Sequence, residues 1–524
     1  MSRDPGGLRP APAAAGSARA GAPVGRTARA LALAAFLFYV LSGGGRIVGS
    51  DEVTMFELSR ALLHGRIEVS EGATLDGRDG RHYSKNAAAQ AIAALPLTAA
   101  GEGAAAAARL PEPRRTLAVR FVVSFFNALI TALVLGAFYA AARALGVAPR
   151  PAFAAALLLG FTTPLWVYAK SFMAEPLEAL GLLLALGGAA RAAGGAPRAA
   201  RVAALGALLA VSAKLSMLPL TLAALAPLLW PPARRWGWPV AALAAALAGH
   251  GLYDRARFGN LLETGYGAQA SPAAFTTPIA VGLYGLLISS GKGVVWFAPA
   301  ILLAPAGLKA MSGAGTAARR AAWAVAATWV LGLLIYARFQ HWAGDGSYGP
   351  RYLVPLLPLA FLPVAFALDR ASAARRRLAA LLALAGLVVQ IGGVAIYFGA
   401  QMREAGDYPY TLPLDHPRFM SDSHFNPAFS PIAGHWRMLS RNLAEHLRGA
   451  APRLSGGGAA DPRLEVSIAD QQRLLHALDL WWLYLIYAGV PTPATLAAAL
   501  ATLLLSLWAL GRARFQRGRE STAA

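Results

Sequence analysis

Cysteine is absent from the 524 residues. That excludes disulfides, thiol nucleophiles and thiolate metal sites. Lysine is nearly absent: only five of the 48 basic residues are Lys, and the rest are Arg. Charge of either sign is scarce, at 14% of the chain, where soluble domains carry about 25%. Hydrophobic residues make up 56%, so there is too little polar surface to cover a soluble globule. The composition predicts an all-α polytopic membrane protein. The net charge of +22 does not mark a nucleic-acid binder, because no basic domain with interleaved aromatics exists. The Arg residues sit in short clusters between apolar runs, the pattern of positively charged cytoplasmic loops.

A membrane-spanning helix needs about 20 mostly apolar residues. Such runs occur at about twelve places: 28–45, 117–142, 151–169, 174–190, 200–214, 216–230, 238–253, 293–310, 320–338, 351–368, 378–399 and 494–511. The pair 200–214/216–230 also reads as one broken unit. Starting from a cytoplasmic N-terminus, every second connection is short and basic: Arg143 and Arg150; Arg191, Arg198 and Arg201; Arg234 and Arg235; Lys309, Arg319 and Arg320; Arg370 and Arg375 to Arg377; and Arg512 onward. Both termini are therefore expected on the cytoplasmic side of a plasma membrane. The outer side receives the long connections 46–116, 254–292, 339–350 and 400–493. The expected organisation is a disordered cytoplasmic tail (1–27, Pro/Gly/Ala/Arg-rich and not a cleavable signal peptide), a membrane-embedded module (28–399), and an extracytoplasmic segment with an interfacial helix (400–493). A final span (494–511) and a cytoplasmic tail (512–524) follow. With plain loops inside and elaborate loops outside, function is expected on the outer face, where loops sit on a rigid scaffold.

The first outer loop begins GSDEVTMFELSRALL. Met55, Leu58 and Leu62 form one stripe, with Phe56 and Leu63 beside it, as in an amphipathic helix lying in the interface. Ser50 reads as its N-cap and Gly65 as its end. A polar, turn-rich stretch through HYSK follows, and then a second short apolar helix in NAAAQAIAALPLTAAG.

This layout resembles the polytopic glycosyltransferases of the GT-C superfamily, such as the protein O-mannosyltransferases and the lipid A aminoarabinose transferases. GSDE matches their acidic pair at the start of the first outer loop, and HYSKNAAAQ matches their YxK-type loop. FTTPLWVYAKSFMAEP, GLYGLLISSGKGVVWFAPAILL and HWAGDGSYGPRYLVPLLPL resemble recurrent segments of bacterial members. The likeness covers about 28–400, making that stretch the catalytic module by resemblance. It implies a sugar donor on a polyprenyl phosphate, an acceptor hydroxyl on a lipid, glycan or protein, reaction at the outer face with inversion, and a carboxylate base. Membrane lipids are further partners, and no nucleic acid is.

The candidate residues follow. Asp51 matches the family's base, with Glu52 beside it as a second catalytic candidate; alternatively both acids simply favour a helix start. Lys85 and Arg351 are candidates for the donor phosphate, since cations stabilise charge developing on a leaving group; snorkelling or helix-end anchoring are the plain alternatives. Tyr83, Lys170, Glu175, His341 and Asp345 could line the same cavity. Glu175 lies just inside a span, where a carboxylate is costly, and Lys170 could be its ion-pair partner. Asp415, His416, Asp422, His424, His435 and His446 fit no tight zinc spacing; no metal site or cofactor is expected, with a divalent ion left open. The competing classes are a twelve-span secondary transporter, which would place charge at the bilayer midplane near breaks such as Lys214, and a non-catalytic lipid-binding relative.

Overall fold

A computed structural model describes residues 16–70, 74–229, 236–267, 271–344, 346–369, 371–404, 423–454, 460–461 and 466–523. The fold is α-helical throughout, with only two small two-stranded sheets among the described residues. Seven helical segments are long and apolar enough to cross a membrane: Val24–Leu41, Arg114–Ala144, Glu175–Ala193, Thr316–Arg338, Arg351–Leu368, Ala373–Ala395 and Thr492–Thr522. The chain is a multi-pass membrane protein.

Several expected runs are interrupted where backbone chemistry demands it. The 151–169 run is a helix Pro149–Phe161 followed by a single turn Leu165–Tyr168. The 293–310 run is broken by proline, which lacks an N–H and clashes with the preceding turn. It forms Val294–Phe297, a 3-10 turn Pro299–Leu303 and Ala304–Gly313. The 200–230 region is one broken unit. Helix Ala199–Ala213 stops at Lys214, whose backbone is extended (φ −159°, ψ 125°), before a 3-10 turn and helix Leu218–Ala224. The first helix, α1 (Gly16–Leu41), starts before the expected boundary at 28, so residues 16–27 are helical; residues 1–15 lie outside the described set.

Helix Glu175–Ala193 packs along Ala199–Ala213. The approach is close because Gly206 has no side chain: a Cβ there would lie 2.2 Å from the Ala185 amide nitrogen. α1 packs against the C-terminal helix Thr492–Ala523 and against Phe126–Ala144. These contacts bring the described ends of the chain together, where the Thr27 hydroxyl donates to the Glu520 carboxylate.

That loop is more ordered than its composition predicts. Helix α2 (Ser50–Leu63) buries Met55, Phe56 and Leu58, with Leu62 only half-buried. It is packed into the protein rather than lying free in the interface. The turn-rich stretch pairs as a hairpin of β1 (Thr74–Asp76) and β2 (His82–Ser84), with Leu75 opposite Tyr83. Helix α3 (Ala89–Ala107) follows. Ser59 of α2 donates to the Ala91 carbonyl (2.9 Å) and bonds the Thr98 hydroxyl (2.8 Å) of α3. Helices α2 and α3 are thus fixed relative to one another.

Candidate functional site

The N-cap of α2 is Gly49, one residue before the expected Ser50. The Glu52 side chain reaches back to accept the Gly49 N–H (2.8 Å), and its other oxygen accepts the Phe172 N–H (2.7 Å). Burial pushes the Glu52 carboxyl above its usual range, and the Gly49 and Phe172 amides pull it back. Both oxygens are occupied, so Glu52 joins the helix start to the irregular segment leading into Glu175–Ala193. It leaves its neighbour Asp51 facing a different set of partners.

Asp51 lies between two cations. Its Oδ1 is 3.1 Å from Lys85 Nζ, just beyond β2, and its Oδ2 accepts from Arg351 Nη2 at 3.2 Å. Burial alone would raise its carboxyl, but Arg351 and Lys85 outweigh it and bring Asp51 down to about 2. Arg351 also donates through Nε to Glu175 Oε1, so one guanidinium bridges two carboxylates that lie 124 positions apart in sequence. Arg351 opens a 3-10 turn that runs into helix Leu357–Leu368. The preceding loop reaches it through Gly344, at φ +71°, where a Cβ would lie 2.8 Å from the Arg351 Cβ. Buried Lys292 holds this loop by donating to the Ser347 carbonyl at 2.6 Å, and Tyr168 donates to the Tyr348 carbonyl.

The charge continues inward from Glu175. Glu178, one turn along, is buried and interacts electrostatically with Lys214, Glu175 and Arg351. Lys214, at the helix break, places Nζ 4.7 Å above the Tyr352 ring. The Tyr352 ring also stacks on Tyr336, with centroids 4.8 Å apart. Tyr266 lies within electrostatic reach of Lys214, Asp51 and Arg351.

The structure therefore brings together Asp51, Lys85, Arg351 and Glu175 from the expected set. Two others, Tyr83 and Lys170, have partners outside this group. Tyr83 is on the hairpin; its hydroxyl donates to Asp79 (2.8 Å) and its ring packs edge-on to Phe258. Lys170 does not pair with Glu175. Its ammonium instead contacts Asp479 Oδ2 (2.6 Å), the Asp479 carbonyl (2.9 Å) and the Val394 carbonyl (2.6 Å). Asp479 is more acidic than usual: burial opposes this, but Lys170 and Arg46 outweigh it. Arg46 bonds Asp479 at 2.9 Å and lies over the rings of Tyr397 and Tyr484. His341 sits beside Gln340 and Phe339, and Asp345 lies outside the described residues.

Asp415, His416 and Asp422 also lie outside the described residues, whereas His435 and His446 are engaged. His435 Nδ1 bonds the Pro431 carbonyl, and burial lowers its pKa to about 4. His446 bridges the Asn442 carbonyl and the Tyr487 hydroxyl. Among the described residues no group of three His, Asp or Glu side chains converges on a metal-sized site.

Sequence reasoning missed Glu178 and Asp479. Glu178 was accessible from EPLEAL, because residues three apart share a helix face. Nothing local to LDLWW marks Asp479 as the partner of two cations more than 300 residues upstream.

The architecture is that of a multi-pass α-helical membrane protein with a charged site where the loop after α1 meets the ends of two spans. No protein-family model and no curated protein sequence matches the chain. Among solved structures it is similar to ArnT from Cupriavidus metallidurans bound to undecaprenyl phosphate, at 15% identity and a TM-score of 0.48, over 93% of this chain and 77% of that one. It is similar to the same protein in the apo state, at 15% identity and a TM-score of 0.48, over 92% and 75%.

Proposed function

We propose that the chain is a membrane glycosyltransferase that moves a sugar from a polyprenyl-phosphate donor to an acceptor hydroxyl at the outer face. The observation that carries this reading is Asp51 held between Lys85 and Arg351. A base for the acceptor and two cations for a leaving phosphate are thereby within one side chain's reach of each other.

In the resting site the cations neutralise Asp51. When a donor arrives, its phosphate competes for the same ammonium and guanidinium. Lys85 is 39% exposed, so it can swing to the phosphate, while Arg351 keeps Glu175 as a second partner. Drawing positive charge away from Asp51 raises its basicity as the phosphate becomes bound. The acceptor oxygen then attacks the anomeric carbon from the face opposite the phosphate. The bond from that carbon to the phosphate oxygen breaks, and its electron pair leaves on the phosphate. The acceptor proton passes to Asp51, and the polyprenyl phosphate departs with its charge on Lys85 and Arg351. A carboxylate can accept this proton only as the bond breaks, because a free hydroxyl is far too weak an acid. Glu52 holds the start of α2 and thereby aims Asp51. Both termini are cytoplasmic in this reading, and the acceptor is a lipid, glycan or protein.

The test is incubation of the purified full chain in nanodiscs with a panel of labelled polyprenyl-phosphate sugars and membrane extract as acceptor source. The expected result is consumption of at least one donor with release of polyprenyl phosphate. If no donor is consumed and none binds, the reading is wrong.

A further inference from the structure

Glu175 Oε2 and Glu178 Oε1 are buried and have no hydrogen-bond partner among the described residues. Buried polar atoms are nearly always paired, and a carboxylate oxygen left without a donor carries a desolvation cost that an incoming N–H or O–H would relieve. The two carboxylates are one helical turn apart at the start of Glu175–Ala193. They stand against Arg351 on one side and Lys214 on the other. Lys214 is held over Tyr352, whose ring also stacks on Tyr336. Its ammonium is therefore a positioned hydrogen-bond donor rather than a mobile surface charge.

We propose that Glu175, Glu178 and Lys214 form the subsite for the donor's sugar ring, and that this subsite takes a sugar with free hydroxyls and no acidic group. The inference rests on the glycosyltransferase reading of Asp51, Lys85 and Arg351. Its geometry follows from covalent connectivity. The anomeric carbon is bonded to a phosphate oxygen, so the ring must lie next to the cations that hold the phosphate. Glu175 shares one of those cations, Arg351, with Asp51. Two acceptor oxygens and one ammonium donor complement hydroxyl groups, each of which both donates and accepts. A uronic acid would place its carboxylate beside two others, and the subsite selects against it.

The experiment measures binding to the full chain in nanodiscs with bare polyprenyl phosphate and with polyprenyl-phosphate glucose, galactose, mannose and glucuronic acid. Wild type is expected to bind at least one neutral-sugar donor ten-fold or more tighter than bare polyprenyl phosphate, and the glucuronic acid donor no tighter than bare lipid. Glu178→Gln and Glu178→Leu should abolish the preference without weakening the binding of bare polyprenyl phosphate. Donors lacking single hydroxyls should lose ten-fold on the wild type, a readout that requires no variant to fold. A preference that survives in both variants, deoxy donors that bind as well as the parent, or equal binding of sugar-bearing and bare lipid by wild type overturns the subsite. If bare polyprenyl phosphate binds and Lys85→Ala weakens it, only the subsite falls; if bare lipid does not bind at all, the glycosyltransferase reading falls with it.

Discussion

Asp51→Asn keeps the shape of the side chain and removes its charge and basicity. A carboxyl held at about 2 instead of 3.8 is stabilised in its charged form by about 2.5 kcal/mol. Its folded pKa is depressed, so that contribution is fully present above about pH 4 and disappears as pH falls toward 2. The variant should therefore be less stable by up to about 2.5 kcal/mol at neutral pH. Arg351 retains Glu175 and Lys85 is partly exposed, so neither cation is stranded. Turnover should fall at least about a hundredfold, the usual cost of losing a general base. Binding of bare polyprenyl phosphate should be no weaker than in wild type, since both cations remain and their competitor is gone. The assay pairs single-turnover transfer in nanodiscs with lipid binding and denaturant unfolding between pH 2 and 7. The stability gap should close on acidification while the binding persists. Near-normal transfer by Asp51→Asn, or inactivity explained by unfolding, would refute the role of base and leave the acidic pair as a helix start.

Lys85→Ala and Arg351→Ala should each weaken polyprenyl-phosphate binding by about 2–3 kcal/mol, read as a 30-fold or greater rise in Kd; unchanged affinity in both variants removes the phosphate assignment. Glu52→Gln presents one oxygen and one NH2 to two N–H donors, so it should lose about 2 kcal/mol of stability, with folded enzyme turning over within a few-fold of wild type. Lys170→Met leaves a buried carboxylate short of a counter-ion and should cost about 3–5 kcal/mol in unfolding measurements; a loss of donor affinity without loss of stability would return Lys170 to the substrate site. Reporter fusions near residue 440 and at the C-terminus should report opposite sides of the membrane, and the same side for both would contradict the orientation.

The all-helical membrane fold was legible because apolar runs and scarce charge are properties of composition, independent of partners. The break at Lys214 was legible too, since a charged residue between two short apolar runs rarely continues a helix through lipid. The number of spans was harder to read. Pro299 and Pro305 break one apolar run into short pieces, which a hydropathy window cannot detect. At the site, Asp51, Lys85 and Arg351 were individually visible as odd charges between apolar runs or at their ends. Their convergence was not, because no local pattern encodes contact across 300 positions. Glu52 and Lys170 show the converse. Each neighbours a site residue in sequence, yet one spends its oxygens on backbone amides and the other turns to Asp479.

The Asp479 cluster has a consequence for biosynthesis. Arg46 and Lys170 emerge from the ribosome long before the carboxylate that neutralises them, and Lys170 feels Arg46 as a like charge. Until Asp479 arrives, two cations repel each other in a place with little water, and the turn leading to Asp51 has no anchor for its Arg46 side. The Arg46 end of that turn therefore gains its carboxylate partner only when translation is nearly complete. A chain stalled before that point would carry every residue of the proposed reaction centre without the fastening that holds them at working distance.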